Sequence, residues 1–502
     1  MAQRSRRQFG LAVAALLPGI GPGHWLCLGA SPPATAEVDE MPRWSPRWVP
    51  WGTAVLAFLL YWLTMPRDLT WQFHSGDGGE LITAAFTLGI PHPPGYPTYV
   101  LLGKLISFLP FDPIAYRFHL LSALCTAGAA GLVTATVFQL FHESINNPSP
   151  LLACVPGLLF AFSPLVWQQA VVAEVYGLNL LLVAAFLWAL LRERPSYLTG
   201  LFLGLSLTTH LTSLFLIPLA LLLTPTKTWG RLVAGALLGI SPYLLLPLLA
   251  RSSSPVIWGD PTTVAGWWWL VSGQIYQPNQ FALPLPEVWP RLASWLGIFA
   301  LQLGVLGWGV LMWYGRSLKE KRWLGLLGTA VFYLIYAFLY NTQDAIVLTL
   351  PAWLIFSLCL TPALSMLKKW ALILPGIAVL LHLSGQTGAN IHNIRQQAER
   401  ILGPAPTDAI LLTSGDPDIF ALWYFHHVEK MRPDIILVDD QLFAFDWYRQ
   451  ALKQQWPTLR ALEEDNLTLF SAANQPQHTI CQVGFSPAAE AEPLFDCLQG
   501  SN

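Results

Sequence analysis

The chain has 502 residues, of which 54% are hydrophobic and only 11% charged, with a mean hydropathy of +0.48. A soluble chain of this length carries roughly twice that charge, so the composition excludes an ordinary soluble enzyme and indicates a polytopic helical membrane protein. The formal net charge of −2 provides no basic footprint for nucleic acid.

Residues 1–47 stand apart as an N-terminal cytoplasmic segment. Ser5-Arg6-Arg7-Gln8-Phe9, an apolar run and Ala34-Thr35-Ala36 have the layout of a twin-arginine signal. The other reading is a start assigned too early, with translation beginning at Met41; no function is placed before that residue. From 48 to 385 the apolar runs predict about 11 membrane spans, near 48–65, 117–141, 151–171, 176–192, 196–209, 211–224, 230–250, 289–314, 323–340, 345–366 and 370–385. The two between 196 and 224 are short and read as broken helices. The segment 97–110 is apolar but short and carries Lys104, and it is read as interfacial or re-entrant.

Flanking charge orients the spans. Arg43 with Arg47, Arg192 with Arg194, Lys227 with Arg231, the group Arg316, Lys319, Lys321 and Arg322, and Lys368 with Lys369 all fall on one face when the spans alternate. That face is cytoplasmic. The opposite, extracytoplasmic face receives Asp77, Glu80, His92, Glu174, His210, the 251–288 loop, Asp344 and residues 386–502.

Ser75–Lys104 is the most informative stretch. Asp77 and Glu80 follow the first span, and His92-Pro93-Pro94-Gly95-Tyr96-Pro97 follows them as a built corner, because three prolines and a glycine in six residues cannot lie inside a helix. A capping box at the next helix would also account for Asp77 and Glu80, but not for the adjoining loop. Glu174 and Tyr176 lie in Ala-Glu-Val-Tyr-Gly-Leu-Asn at a span boundary, and His210 lies in Thr-His-Leu-Thr between two short helices. Both His210 and Glu174 are either functional or simply satisfied polar groups. Trp258-Gly259-Asp260-Pro261, Trp267-Trp268-Trp269 and Tyr276 make an aromatic external loop, suited to membrane anchoring or to stacking on sugar rings. Asp344 opens a later span on the same face.

Residues 386–502 read as a small α/β domain: a buried strand at 409–413, a helix at 417–430 and a second strand at 434–438, hence one parallel βαβ unit. Asp416 and Asp418 follow the first strand, as ligand groups at a strand C-terminus or as caps of the following helix. Of six scattered cysteines only Cys481 and Cys497 share this segment; a disulfide and two free thiols both remain open.

Asp-Gly-Gly-Glu-Leu (77–81) with His-Pro-Pro-Gly-Tyr-Pro (92–97), followed in order by Ala-Glu-Val-Tyr-Gly-Leu-Asn, Thr-His-Leu-Thr and Trp-Gly-Asp-Pro, resembles the protein O-mannosyltransferase-like membrane family, which is similar to the GT-C glycosyltransferases. The resemblance implies a GT-C-like transmembrane domain at 48–385 and a polyprenyl-phosphate sugar as donor substrate, with mannose among the candidate sugars. It places the essential acidic residue of the first external loop at Asp77. The external loops are shorter than in long-loop members, which leaves a protein, lipid or glycan acceptor open.

Transfer from a lipid phosphate to a hydroxyl needs a base opposite the leaving phosphate. Asp77 fits that role, with Glu80 orienting the acceptor or tuning Asp77. His92 and His210, with Arg117 or Arg251, are the expected phosphate ligands. Tyr96, Glu174, Tyr176, Trp258, Asp260, Tyr276 and Asp344 are substrate-binding or structural. No metal-ligating residue is assigned, although a divalent metal is compatible with the carboxylates. A transporter or lipid flippase and a non-catalytic assembly protein are the competing classes.

Overall fold

The computed structural model describes residues 48–144, 150–315, 320–362, 367–386, 393–486 and 492–497; the segment 1–47, including Met41 and both readings of it, lies outside them. Helical structure occupies all eleven expected span positions. Far fewer are full crossings. Among the described residues only Ile114–Leu140, Thr226–Leu249 and Lys321–Leu339 are long and apolar enough to traverse a bilayer, and Pro150–Ala161 with Pro164–Ala170 makes a fourth only if a pair bent by 74° counts as one span. Of the roughly 11 expected spans, length and composition thus support three or four.

Pro164, Pro218, Pro242 and Pro351 each occupy the first or second position of a helical piece, where the missing N–H costs nothing. Among the described residues only the break before Pro164 bends its run sharply, by 74°; other runs, such as Trp48–Thr64 and Tyr176–Leu191, are simply shorter helices. Segment 97–110 holds only the ten-residue helix Pro97–Ile106, well short of a crossing, with Leu105 and Phe108 exposed.

The helices Ser196–Leu207 and Trp229–Ile240 meet backbone to backbone. A Cβ at Gly200 would lie 1.9 Å from the Leu232 carbonyl oxygen, at Gly204 2.2 Å from that of Ala236, at Gly235 2.0 Å from that of Tyr197 and at Gly239 2.3 Å from that of Leu201. Two Gly-x-x-x-Gly faces thus oppose each other, the arrangement that lets helices approach closely when lipid offers no hydrophobic drive.

The C-terminal region forms a four-stranded sheet in the order β2-β1-β3-β4, with β1 at Ile410–Thr413, β2 at Ile436–Asp439, β3 at Ile480–Gly484 and β4 at Leu494–Cys497. Strand β1 runs parallel to both β2 and β3, with Ile410 opposite Ile436 and Ile480. The expected βαβ unit is present, with the helix Asp416–Trp423 in its crossover. Strand β4 is antiparallel to β3 and sets Cys497 opposite Cys481; the two are joined in a disulfide.

The compositional boundary at 386 is not a packing boundary. Leu81, Ile82, Tyr99 and Phe118 share one buried core with Ile401, Ile410, Phe420 and Tyr424. Arg395 ties the two regions together, pairing with Asp68 and with both carboxylate oxygens of Glu429, the latter at 2.6 Å. Tyr424 donates its hydroxyl to Glu429 (2.7 Å) and accepts from the Ala115 N–H (3.2 Å).

Replacing Gly204 with leucine is expected to lower the thermal midpoint of the detergent-solubilised protein, since overpacking costs about 1–3 kcal/mol or more. Gly230→Ala, where a Cβ meets nothing within 4 Å, should leave the midpoint unchanged or raise it.

Candidate active site

Asp77 immediately precedes the helix Gly78–Thr87 and makes no side-chain capping bond to it. Glu80 does not complete a capping box either. It is fully buried, accepts the backbone N–H of His92 at 3.0 Å and pairs with His92 Nδ1 at 2.5 Å. One carboxylate therefore fixes both the backbone and the ring of the residue that opens the proline corner. The corner is closed by the Gly95 N–H donating to the His92 carbonyl at 2.9 Å, and Gly95 has φ +85°, where a side chain would be strained. With Nδ1 held, His92 Nε2 lies 3.1 Å from the Tyr96 hydroxyl and 3.7 Å from the Asp77 carboxylate.

Glycines set how near these groups come to their neighbours. A Cβ at Gly79 would lie 2.3 Å from the Phe420 carbonyl oxygen, so the helix bearing Glu80 touches the backbone of the C-terminal helix Asp416–Trp423. From the other side, Ile90 exchanges backbone hydrogen bonds with Val256 (2.8 Å) and Trp258 (3.1 Å).

A cavity of about 570 Å³ opens beside this assembly. Asp77, His92, Glu174, His210, Asp344 and Asp416 form its ionisable wall. Tyr96, Tyr176, Tyr276, Tyr336 and Tyr340 also line it, while Leu211, Leu214, Phe215 and Leu348 give one apolar side. Asp77, with 43% of its side chain open, faces this space. Glu174 is buried, and its Oε1 has no hydrogen-bond partner. His210 accepts from the Thr212 N–H through Nδ1 (3.3 Å), with its ring 5.5 Å from that of Tyr176. Its position at a helix break is braced by Asn179, whose amide donates to the Ser206 carbonyl (3.1 Å) and to the hydroxyls of Thr209 and Ser213 (both 3.0 Å).

Four expected residues lie elsewhere. Arg117 is spent on the carbonyls of Ser107 and Phe111 and on Asp112 (3.0 Å). Arg251 is exposed and absent from the cavity lining. Asp260 accepts from the Thr262 N–H (3.2 Å) and hydroxyl (2.5 Å), a local turn outside the cavity. Trp258 is buried behind the site, its ring 6.2 Å from His92 and 5.3 Å from Trp447; it packs as a second layer and presents no face to a sugar. Asp416, Tyr336, Tyr340 and Phe215 line the cavity without having been assigned to it from sequence.

The electrostatics follow from enclosure. Burial raises Asp77 to about 6, against the pull of His92 and with a further push from Glu80 and Asp344. Burial alone would lower His92, but the carboxylates of Glu80 and Asp77 outweigh it and raise the imidazole to about 9. Burial, with Asp77 and Glu80 nearby, raises Asp416 to about 7. At neutral pH the site holds a cationic His92 beside an Asp77 that is mostly ionised yet still basic. Among the described residues no group of three or more His, Cys, Asp and Glu side chains converges at metal-ligand spacing.

The fold matches the crystal structure of ArnT from Cupriavidus metallidurans bound to undecaprenyl phosphate, over 91% of this chain and 99% of the other, with a TM-score of 0.54 and 11% sequence identity. By sequence the chain resembles one family. Residues 77–232 match the Protein O-mannosyl-transferase TMEM260 N-terminal domain, and residues 394–465 match TMEM260-associated domain 2. The protein O-mannosyl-transferase TMEM260 of Mus musculus is 30% identical over 456 residues, covering 79% of this chain and 63% of the mouse protein. The Dictyostelium discoideum protein of that name is 24% identical over 466 residues, covering 74% and 55%. The chain thus spans less than two thirds of the length of these relatives. The resemblance read from the five motifs is borne out.

Glu80→Gln removes the charge that holds the proton on His92, so the imidazole should titrate well below 9, by at least one pH unit, in NMR of ring-labelled histidine. A raised histidine stabilises below its unfolded value near 6.5 and loses that contribution as pH rises through about 9. The wild-type thermal midpoint should accordingly fall through that window, and Glu80→Gln should flatten the decline.

Proposed function

We propose that this chain is an integral-membrane glycosyltransferase that moves a hexose, mannose first among the candidates, from a polyprenyl-phosphate lipid to a hydroxyl acceptor on the extracytoplasmic face. The observation that carries the reading is Asp77, open to an enclosed cavity and raised to about 6 beside the Glu80–His92 pair. A base whose pKa lies near the working pH is best placed to accept a proton in the transition state. The names of the mouse and Dictyostelium relatives supply the transfer of mannose to protein, and the lipid bound to the ArnT neighbour supplies the donor class.

The acceptor oxygen attacks the sugar C1 while Asp77 takes its proton. The C1–O bond to the lipid phosphate breaks through an oxocarbenium-like state, and the electron pair leaves with the phosphate. Glu80 keeps His92 protonated, and His92 in turn favours the ionised form of Asp77. With Arg117 and Arg251 outside the cavity, His210, His92 and the tyrosine hydroxyls are the groups within it able to donate to the departing phosphate. The apolar side at Leu211, Leu214, Phe215 and Leu348 suits the first isoprene units.

In this reading all eleven helical positions are membrane-embedded, several as broken or re-entrant pieces. Arg192, Arg194, Lys227, Arg231, Lys321, Arg322, Lys368 and Lys369 set the cytoplasmic face. The Cys481–Cys497 disulfide supports placing the C-terminal region in an oxidising compartment.

Radiolabelled polyprenyl-phosphate mannose and polyprenyl-phosphate glucose, presented to membranes carrying the wild type, test the proposal. Transfer from one donor is expected, with an acidic limb near pH 6. Asp77→Asn should cut it by about 10²–10⁴-fold. Equal incorporation by the wild type and Asp77→Asn removes Asp77 as the base, and no incorporation from either donor overturns the donor class.

A further inference from the structure

Three aspartates follow strands β1 and β2, and they have different surroundings. Asp439 is fully buried and saturated: its carboxylate accepts the Thr413 hydroxyl (2.9 Å) and the N–H groups of Gly415, Gln441 and Leu442 (each 3.0 Å). Asp418 accepts the Phe485 N–H (3.2 Å) and ties the crossover helix to the end of β3. Asp416 does neither. It is the first residue of its helix, the cap position belongs to Gly415 at φ +104°, and no hydrogen bond or ion pair engages its carboxylate among the described residues. It stands in the wall of the cavity that Asp77 lines.

That position is held from two directions. Asp439 binds the N–H of Gly415 and so fixes the turn that leads into Asp416. Four residues on, the Phe420 carbonyl lies against Gly79, leaving no room for even a methyl group between the helix of Asp416 and the helix that follows Asp77. A carboxylate with no structural partner, on a turn braced this firmly, is preorganised for something that enters the cavity.

We propose that Asp416 binds the acceptor: its carboxylate accepts a hydrogen bond from a hydroxyl or amide of the acceptor next to the reacting oxygen, so that the C-terminal region supplies half of the site. The inference rests on the glycosyltransferase reading above. The acceptor is assigned rather than the lipid donor because the cavity is polarised. Its apolar side is built by Leu211, Leu214, Phe215 and Leu348, from the helical region that carries the expected spans. Asp416 is contributed from the sheet region, which contains the most strongly charged part of the chain.

The test uses full-length protein in native membranes with radiolabelled polyprenyl-phosphate mannose or glucose, whichever the wild type accepts, and the membrane proteins and lipids present as acceptor pool. Sugar transferred to that pool and sugar released to water are counted separately. Asp416→Asn and Asp416→Ala should each lower the ratio of transferred to released sugar at least tenfold, with the donor KM within twofold of wild type. Asp440→Asn, an exposed neighbour, should leave the ratio unchanged. A ratio unchanged in both Asp416 variants overturns the inference, as does a raised donor KM, which would move Asp416 to the lipid. A thermal midpoint lowered in both variants, with both products lost together, makes Asp416 structural and also overturns it. Absence of both products from the wild type instead defeats the glycosyltransferase reading itself.

Discussion

A carboxylate with no access to water must be compensated or protonated, and the way Glu80 meets that demand organises the site. It takes the backbone N–H and the ring Nδ1 of one residue, His92. The first bond sets where the chain leaves the helix region, and the second sets the direction of the imidazole. The proline corner, the approach of Nε2 to Asp77 and Tyr96, and the local charge balance all follow. Without Glu80, His92 would keep only Asp77 as a counter-charge in a low-dielectric pocket and would hold its proton less firmly.

The second constraint is steric. Membrane helices gain little from burying apolar surface against one another, because lipid is equally apolar, and close packing must supply the cohesion. Glycine serves that end twice here. It joins two helices through opposed Gly-x-x-x-Gly faces, and at Gly79 it brings the C-terminal crossover helix against the site helix. The Asp-Gly-Gly-Glu motif therefore combines two jobs: Asp77 lines the cavity while Glu80 holds His92, and its second glycine admits the C-terminal helix that completes the wall.

Much of this was legible in the chain. Helices lie where the apolar runs predicted them, and the 409–413 and 434–438 strands pair in parallel. Asp77, His92, Tyr96, Glu174, Tyr176, His210, Tyr276 and Asp344, drawn from six separated stretches of the chain, line one cavity. The bend before Pro164 was not legible, because hydropathy sums over a break that changes direction but not composition. Arg117 and Arg251 misled for a different reason. Charge in sequence says nothing of how far a side chain reaches, and Arg117 is satisfied by carbonyls a few residues away. Asp416 was visible as an acid after a strand, but what distinguishes it from Asp418 and Asp439 is the absence of local partners, which only the folded arrangement reveals. The opposed glycine pairs were readable as spacing, at 200 and 204 and at 235 and 239.

The core shared between the first helices and the final sheet also bears on how the protein is made. Gly79 and Phe420 meet although they lie far apart in sequence, and β3, the last strand of the parallel set, follows both. The earlier helices therefore keep part of an apolar face uncovered until the sheet region has been translated and folded against them. A truncated chain would present a membrane-embedded half with an open wall where Asp416 should stand. The cavity wall thereby depends on the sheet region, and a copy lacking it would be marked by the surface it cannot cover.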